Sequence, residues 1–156
     1  MSNIEQLDPA IVRAATESAL RGKVKDSDLD KFLDLPTADG HPAPILCEGN
    51  ITAVLVHSWM HCNPLADYYM KESAWGVGAG VVPAAGGFLY TAYNSWDLFW
   101  NETAGYHAQG FADGPGILQF NFFNSSWVPM GQFNAASAGI AWFEFGGSGK
   151  WRKKKS

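Results

Sequence analysis

The sequence predicts an all-β core over residues 45–149, preceded by a short helical segment and linker over 1–44 and followed by a basic tail over 150–156. Three observations predict it. Charge divides the chain: residues 1–44 hold five basic and eight acidic side chains, 45–149 hold Lys71 alone against seven acids, and 150–156 hold five basic residues. Hydrophobic periodicity changes from helical spacing to alternation at Ile45. Short runs rich in β-branched and aromatic residues then recur between Gly, Pro, Asn and Ser clusters at roughly 8- to 12-residue spacing, the pattern of a sandwich or barrel.

Composition fits one folded domain. Hydrophobic residues make up 47%, aromatics 14% and charged residues 17% of 156 positions, which excludes a disordered chain. No uncharged stretch offers the roughly 20 continuous apolar residues of a membrane helix. The first 25 residues carry acids in a helical pattern, not the basic and then apolar regions of a secretory signal. The expectation is a cytoplasmic chain or one whose signal has been removed. Cys47 and Cys62 are too few for a disulfide scaffold, lack metal-ligand spacing, and read as packed thiols.

Asp8 is an N-cap with Pro9 at the first helical position, Ile11, Ala14, Ala15 and Ala19 repeat at helical spacing, and Gly22 supplies the stop. Ser27 caps a second, shorter helix through Leu29, Phe32 and Leu33 that Pro36 ends; Thr37 to Pro44 is a linker. The pair is too small for its own core and must dock or stay mobile. Ile51 to His61 reads as a strand with Ala53, Leu55, His57 and Trp59 on one face and Val54, Val56, Ser58 and Met60 on the other. Pro64 marks a turn, and Tyr68 to Met70 pairs back. Trp75, Val77, Ala79 and Val81 alternate with Gly76, Gly78 and Gly80, a bare face that lets another backbone or a ring come close in a tightly coiled wall. Phe88 to Tyr93 is a strand, and Ser95 starts a short helix through Trp96, Leu98, Phe99 and Trp100. Thr103 to Phe111, Ile117 to Phe123, Val128 to Phe133 and Ala136 to Phe145 complete the strands, with a break near Asn134.

Several of these segments carry a family likeness. Leu118-Gln119-Phe120-Asn121-Phe122-Phe123-Asn124-Ser125-Ser126, Gly131, Ala135 to Ala138 and Gly146-Gly147-Ser148-Gly149-Lys150-Trp151 resemble the conserved core of the virulence-associated (Vap) proteins of Rhodococcus equi. Gly80-Val81-Val82-Pro83, Gly86-Gly87-Phe88-Leu89-Tyr90, Asn94-Ser95-Trp96-Asp97-Leu98 and Glu48-Gly49-Asn50-Ile51-Thr52-Ala53-Val54 extend the likeness over residues 45–151. The resemblance implies a compact eight-stranded antiparallel Greek-key β-barrel with one short interstrand helix and no enzyme-like cleft. It also implies a secreted effector acting on host compartments through membranes or lipids, with no catalytic residue and no cofactor. The chain differs from the family in its helical N-terminal segment and in the lack of a visible export signal.

Candidate chemistry is sparse. On one strand His57 and His61 share a face about 13 Å apart at ~3.3 Å per residue, too far for one ion with ligands at about 2 Å, so His57, His61 and Cys62 are not expected to hold a metal. Ala135-Ala136-Ser137-Ala138-Gly139 falls one glycine short of a nucleophile elbow and continues as a strand. Gly76-Val77-Gly78-Ala79-Gly80 lacks the third glycine and the βαβ unit of a dinucleotide site. Asp97, Glu102, Asp113 and Glu144 are available for acid–base work but read as solvated surface.

Binding is the better expectation. Trp96, Trp100 and Trp127 fall in or beside connections, where a ring either stacks on sugar, enters a lipid interface or caps a barrel end. Trp151 is followed by Arg152, Lys153, Lys154 and Lys155, a tail that either attracts anionic lipid or serves as a disordered solubilising end. The acidic core argues against nucleic acid. The reading is therefore a non-enzymatic protein that engages a membrane, lipid or protein target, with a carbohydrate-binding barrel as the rival; oligomeric state is not written in the sequence.

Overall fold

A computed structural model describes residues 7–111, 116–137 and 142–155. The first helix, α1 (Pro9–Leu20), starts where Asp8 accepts the Ala10 N–H at 2.9 Å and stops before Gly22, which takes φ +86°. The second, α2 (Asp26–Phe32), has Lys25 at its N-cap position without a side-chain cap, and Ser27, the expected cap, lies inside it. Asp26 and Asp28 supply negative charge to its first turn instead. A single 3-10 turn, Leu35–Thr37, leads to the linker.

Seven strands follow: β1 (Ile45–Pro64), β2 (Tyr68–Thr91), β3 (Gly105–Phe111), β4 (Gly116–Phe123), β5 (Pro129–Ser137), β6 (Trp142–Ser148) and β7 (Arg152–Lys153). One helix, α3 (Trp96–Glu102), interrupts them, with Ser95 Oγ accepting the Leu98 N–H at 3.2 Å as the expected N-cap. The strands are antiparallel and form a ring. β2 is long enough to pair with β6 through Gly76–Ala79 and with β5 through Gly87–Thr91, and β5, β4, β3 and β6 connect those two ends.

β1 pairs with β2 along nearly its whole length and then returns on itself. The Leu65 N–H donates to Leu46 O at 2.7 Å, Asn50 Nδ2 meets His61 Nδ1 at 3.4 Å, and the Cys47 and Cys62 sulfurs lie 3.4 Å apart. Separate strands expected at Ile51–His61 and Phe88–Tyr93 are thus parts of two long bent ones. A second correction concerns Asn134: β5 runs through it to Ser137, so the break expected there does not exist, and β6 begins only at Trp142.

Close approach explains several glycines. A Cβ on Gly76 would sit 2.3 Å from Phe145 Cβ, and one on Gly87 would sit 2.0 Å from Asn134 O. Interior side chains from β1 to β6 make one aromatic-rich core around Phe120, Phe122, Phe133 and Phe143, closed at one end by Phe99 and Trp100 of α3 and by Trp151. Trp151 Nε1 donates to Thr103 Oγ1 at 3.1 Å.

The opposite face of β3, β4 and β5 is also buried, and much of it is amide. Gln109, Gln119, Asn121, Gln132 and Asn134 alternate with core residues and are at most 7% exposed. Gln119 Nε2 donates to Asn134 Oδ1 (2.9 Å), Asn134 Nδ2 to Gln132 Oε1 (2.8 Å), Gln132 Nε2 to Asn121 Oδ1 (2.8 Å) and Asn121 Nδ2 to Gln119 Oε1 (3.1 Å). Helix α1 closes over this ladder. Gln109 Nε2 donates to Ala15 O at 2.9 Å, and Thr16 Oγ1 accepts from both Gln119 (3.0 Å) and Gln132 (2.9 Å) while donating to Val12 O. Ala19, Leu20, Leu29, Phe32 and Leu33 pack on Phe123 beside it, so the helical pair is docked.

Thr16 therefore uses its full hydroxyl capacity. Thr16→Val leaves two buried amide N–H groups short of a partner, at about 1–3 kcal/mol each. Chemical denaturation is expected to show that loss for Thr16→Val and near wild-type stability for Thr16→Ser; equal stability of the two variants would contradict this docking.

Candidate functional site

Two surface features stand out. The first is a crest on the β1–β2 hairpin. The β1–β2 register shifts between Leu55 and His57, where Gly76 and Val77 of β2 stand opposite Val56 alone, and Leu55 takes φ 55°, a left-handed conformation rare for a bulky side chain. Side-chain parity changes across it: Ile51 and Ala53 point inward before the bulge, and Ser58, Met60 and Cys62 after it. The two-face assignment expected from alternation therefore fails at this point. Val54, Leu55 and Val56 emerge in succession, 56%, 72% and 60% exposed, and Trp75 and Val81 across the ladder are 75% and 56% exposed. His57 sits edge-on between Trp59 (4.6 Å) and Trp75 (4.8 Å). Gly49 to Ala66 and Ser73 to Trp96 contain no Asp, Glu, Lys or Arg. Exposed apolar surface of this kind marks an interaction site.

The second feature surrounds Trp127. Asn124 Oδ1 accepts the Ser126 and Val128 N–H groups at 2.9 and 3.1 Å, a tight turn that holds Trp127 at φ 61°. Its ring stacks on Phe123 with centroids 4.3 Å apart and lies over Gly105, where any Cβ would come within 2.6 Å of it. Beside it is a recess of about 260 Å³ lined by Leu20, Lys23, Tyr106, His107, Phe123 and Trp127, among others.

At the recess Lys23 Nζ donates to Glu144 Oε1 at 2.5 Å, and His107 Nε2 lies 3.3 Å from the same oxygen. Burial and the Lys23 ammonium hold the His107 imidazole below its ordinary value, against the opposing pull of Glu144. Burial tends to raise the Glu144 carboxyl, but the hydrogen bonds from Lys23 and His107 outweigh it and bring it below the usual range. Glu144 is exposed as expected, but the expectation did not include this cluster. Lys23 lies 121 positions away in the helical segment, and nothing local marks the pairing.

The residues expected to bind are scattered. Trp127 is 45% exposed. Trp100 is buried, stacked between Tyr68 and Trp96 and edge-on to Trp151, and half-buried Trp96 donates Nε1–H to Ala43 O at 3.2 Å. These two tryptophans cap the ring, the other fate foreseen for them. The tail is not a disordered end over its described residues: Arg152 and Lys153 pair with Tyr69 and Tyr68, Arg152 lies 3.7 Å from Glu72, and Lys154 donates to Pro64 O at 2.8 Å. Lys153 and Lys155 are exposed. Trp59, Trp75 and the aliphatic crest were not anticipated, although the uncharged stretches that carry them are visible in the sequence.

Among the described residues no three His, Cys, Asp or Glu side chains group as metal ligands. His61 faces Asn50 and Tyr69, apart from the His57 tryptophan pair. Asp97 lies in the first turn of α3, Glu102 ends it, and Asp113 lies outside the described residues. Ser137 ends β5, and the residues that would complete the elbow pattern after it lie outside the described residues. No helix is long and apolar enough to cross a membrane among the described residues.

A family model described as Rhodococcus equi virulence-associated protein matches residues 3–152. Among solved structures, the virulence-associated protein VapD from Rhodococcus equi superposes with a TM-score of 0.62 at 22% identity, over 70% of this chain and 97% of VapD. VapB from the same organism gives 0.59 at 23% identity, over 71% of this chain and 97% of VapB. These two likenesses concern the fold. A search of curated sequences finds no match.

His107 and His61 are both held below the ordinary imidazole value, burial being the first cause in each. As pH falls through about 6.5, the unfolded chain takes up these protons before the folded one does. Stability contributed by the neutral rings is therefore complete above that pH and lost on the way down to the folded values. Urea midpoints are expected to fall between pH 7 and pH 5, less steeply in His107→Gln; a midpoint rising over that range would contradict the assignment.

Proposed function

The chain belongs to the Rhodococcus equi virulence-associated protein family, and from that premise we propose that it is a non-enzymatic, exported binding protein whose β1–β2 crest enters the interface of a lipid bilayer. The observation that carries this reading is the run of exposed Val54, Leu55 and Val56 facing Trp75 and Val81 on hairpin stretches, Gly49 to Ala66 and Ser73 to Trp96, without charged side chains. A bilayer penalises buried charge by ~2.5–3.5 kcal/mol per residue and favours aliphatic side chains with tryptophan at the boundary. Full burial of one Val or Leu is worth about 1.5–3 kcal/mol, so several together suffice for binding without a deep pocket. Lys153 and Lys155 add attraction to an anionic surface at about 1 kcal/mol each, weakened by salt.

A second reading, a sugar-binding site, is supported by the strained Trp127 and its recess. Tryptophan faces stack on sugar rings, and Lys23, His107 and Glu144 supply donors and acceptors beside it. It draws less surface into contact than the crest does.

Liposome flotation separates the two. Leu55→Ser with Trp75→Ser is expected to lower partitioning by at least about tenfold, ~1.4 kcal/mol. Lys153→Gln with Lys155→Gln should affect only anionic vesicles at low salt. Wild-type flotation by the Leu55/Trp75 variant would refute the crest reading. Glycan binding lost in Trp127→Ala, with no flotation of the wild type, would favour the second.

A further inference from the structure

The two cysteines sit where β1 returns on itself. Cys47 lies near one end of the strand and Cys62 near the other, 15 positions apart, and their sulfurs are 3.4 Å apart with both side chains buried. A disulfide bond needs about 2.05 Å, so the sulfurs must close by little more than ~1 Å. Leu65 N–H to Leu46 O and the Asn50–His61 contact also cross this seam. Cys47 also lines an open recess of about 250 Å³ with Leu46, Glu48, Pro64, Leu65 and Lys154, whereas Cys62 lies behind it and is fully buried.

We propose that Cys47 and Cys62 form a disulfide that staples this seam when the protein meets a disulfide donor, a low-molecular-weight or protein disulfide R–S–S–R. Exchange starts at Cys47, the sulfur that the recess reaches. Its thiolate, with the Lys154 ammonium on the same recess, attacks one donor sulfur; the mixed disulfide Cys47–S–S–R forms and R–S⁻ leaves, taking a proton from solvent. Cys62 then gives up its proton and attacks Cys47 Sγ, expelling the second R–S⁻. Two cysteine thiols are oxidised and one donor disulfide is reduced to two R–SH. Burial holds the Cys62 thiol well above its ordinary value, which makes it the second sulfur to react. The bond closes a loop of about 15 residues and removes that freedom from the unfolded chain. This inference does not depend on the lipid reading.

The full chain is equilibrated with oxidised glutathione, quenched in acid, alkylated under denaturing conditions and mapped by mass spectrometry. The expected result is a Cys47–Cys62 linked peptide, two hydrogens lost, and a Tm roughly 10 °C above that of the same protein in reductant. In Cys62→Ser, native protein should take up one glutathione at Cys47, and in Cys47→Ser none at Cys62. Two alkylatable thiols in the wild type after equilibration, or a bond that leaves Tm unchanged or lowered, would overturn the proposal. The comparison of oxidised with reduced wild type stands even if a variant does not fold.

Discussion

The irregularity between Leu55 and His57, where Leu55 takes a left-handed conformation, sets which side of β1 faces inward. Alternation in a strand has a period of two, so a left-handed residue that breaks it exchanges the faces for everything beyond. Ile51 and Ala53 fill the core on one side of the bulge and Met60 and Cys62 on the other. Without that shift one of the two sets would lie in solvent. At the same place β1 turns back, so that Cys47 meets Cys62, and Val54, Leu55 and Val56 are left exposed. The return of β1 on itself and the exposure of the crest thus meet at one place in the strand.

A second constraint comes from the outer face of β3, β4 and β5. Gln119, Asn121, Gln132 and Asn134 bond to one another and Gln109 donates to Gln119, but N–H groups remain that need an acceptor from elsewhere, and Thr16 and Ala15 of α1 supply it. A network of this kind is stable only when its members are paired. The helical segment is therefore part of the fold, and its Lys23 completes the Glu144–His107 cluster beside Trp127.

Much of this was legible in the residues. Asp8, Pro9 and Gly22 delimit α1, Ser95 opens α3, and Asn124-Ser125-Ser126 makes the turn after β4, because caps and turns are local chemistry. The family likeness, carried by Leu118 to Ser126 and Gly146 to Trp151, gave the right architecture of a mostly β ring with matching solved relatives. What failed was nonlocal. Asn134 looked like a turn residue because its amide partner, Gln132, offers no sign in sequence that both are covered by a helix. The left-handed backbone at Leu55 has no glycine to announce it. The basic tail looked solvated, yet Trp151 anchors it and Tyr68 and Tyr69 pair with it. Exposure divides the same way: Trp127 is exposed in a turn that its flanking residues announce, while Trp59 and Trp75 lie within strands where nothing local marks their exposure.

The crest, the Trp127 recess and the basic tail occupy different parts of the surface, so a contact footprint distinguishes them. Hydrogen–deuterium exchange of the full chain with and without lipid vesicles measures that footprint directly. The account predicts added protection confined to residues 52–59 and 73–81, with the β3–β4–β5 face and the Asn124–Val128 turn unchanged. Protection centred on Trp127 and His107, or none anywhere at vesicle concentrations that float the protein, would contradict it.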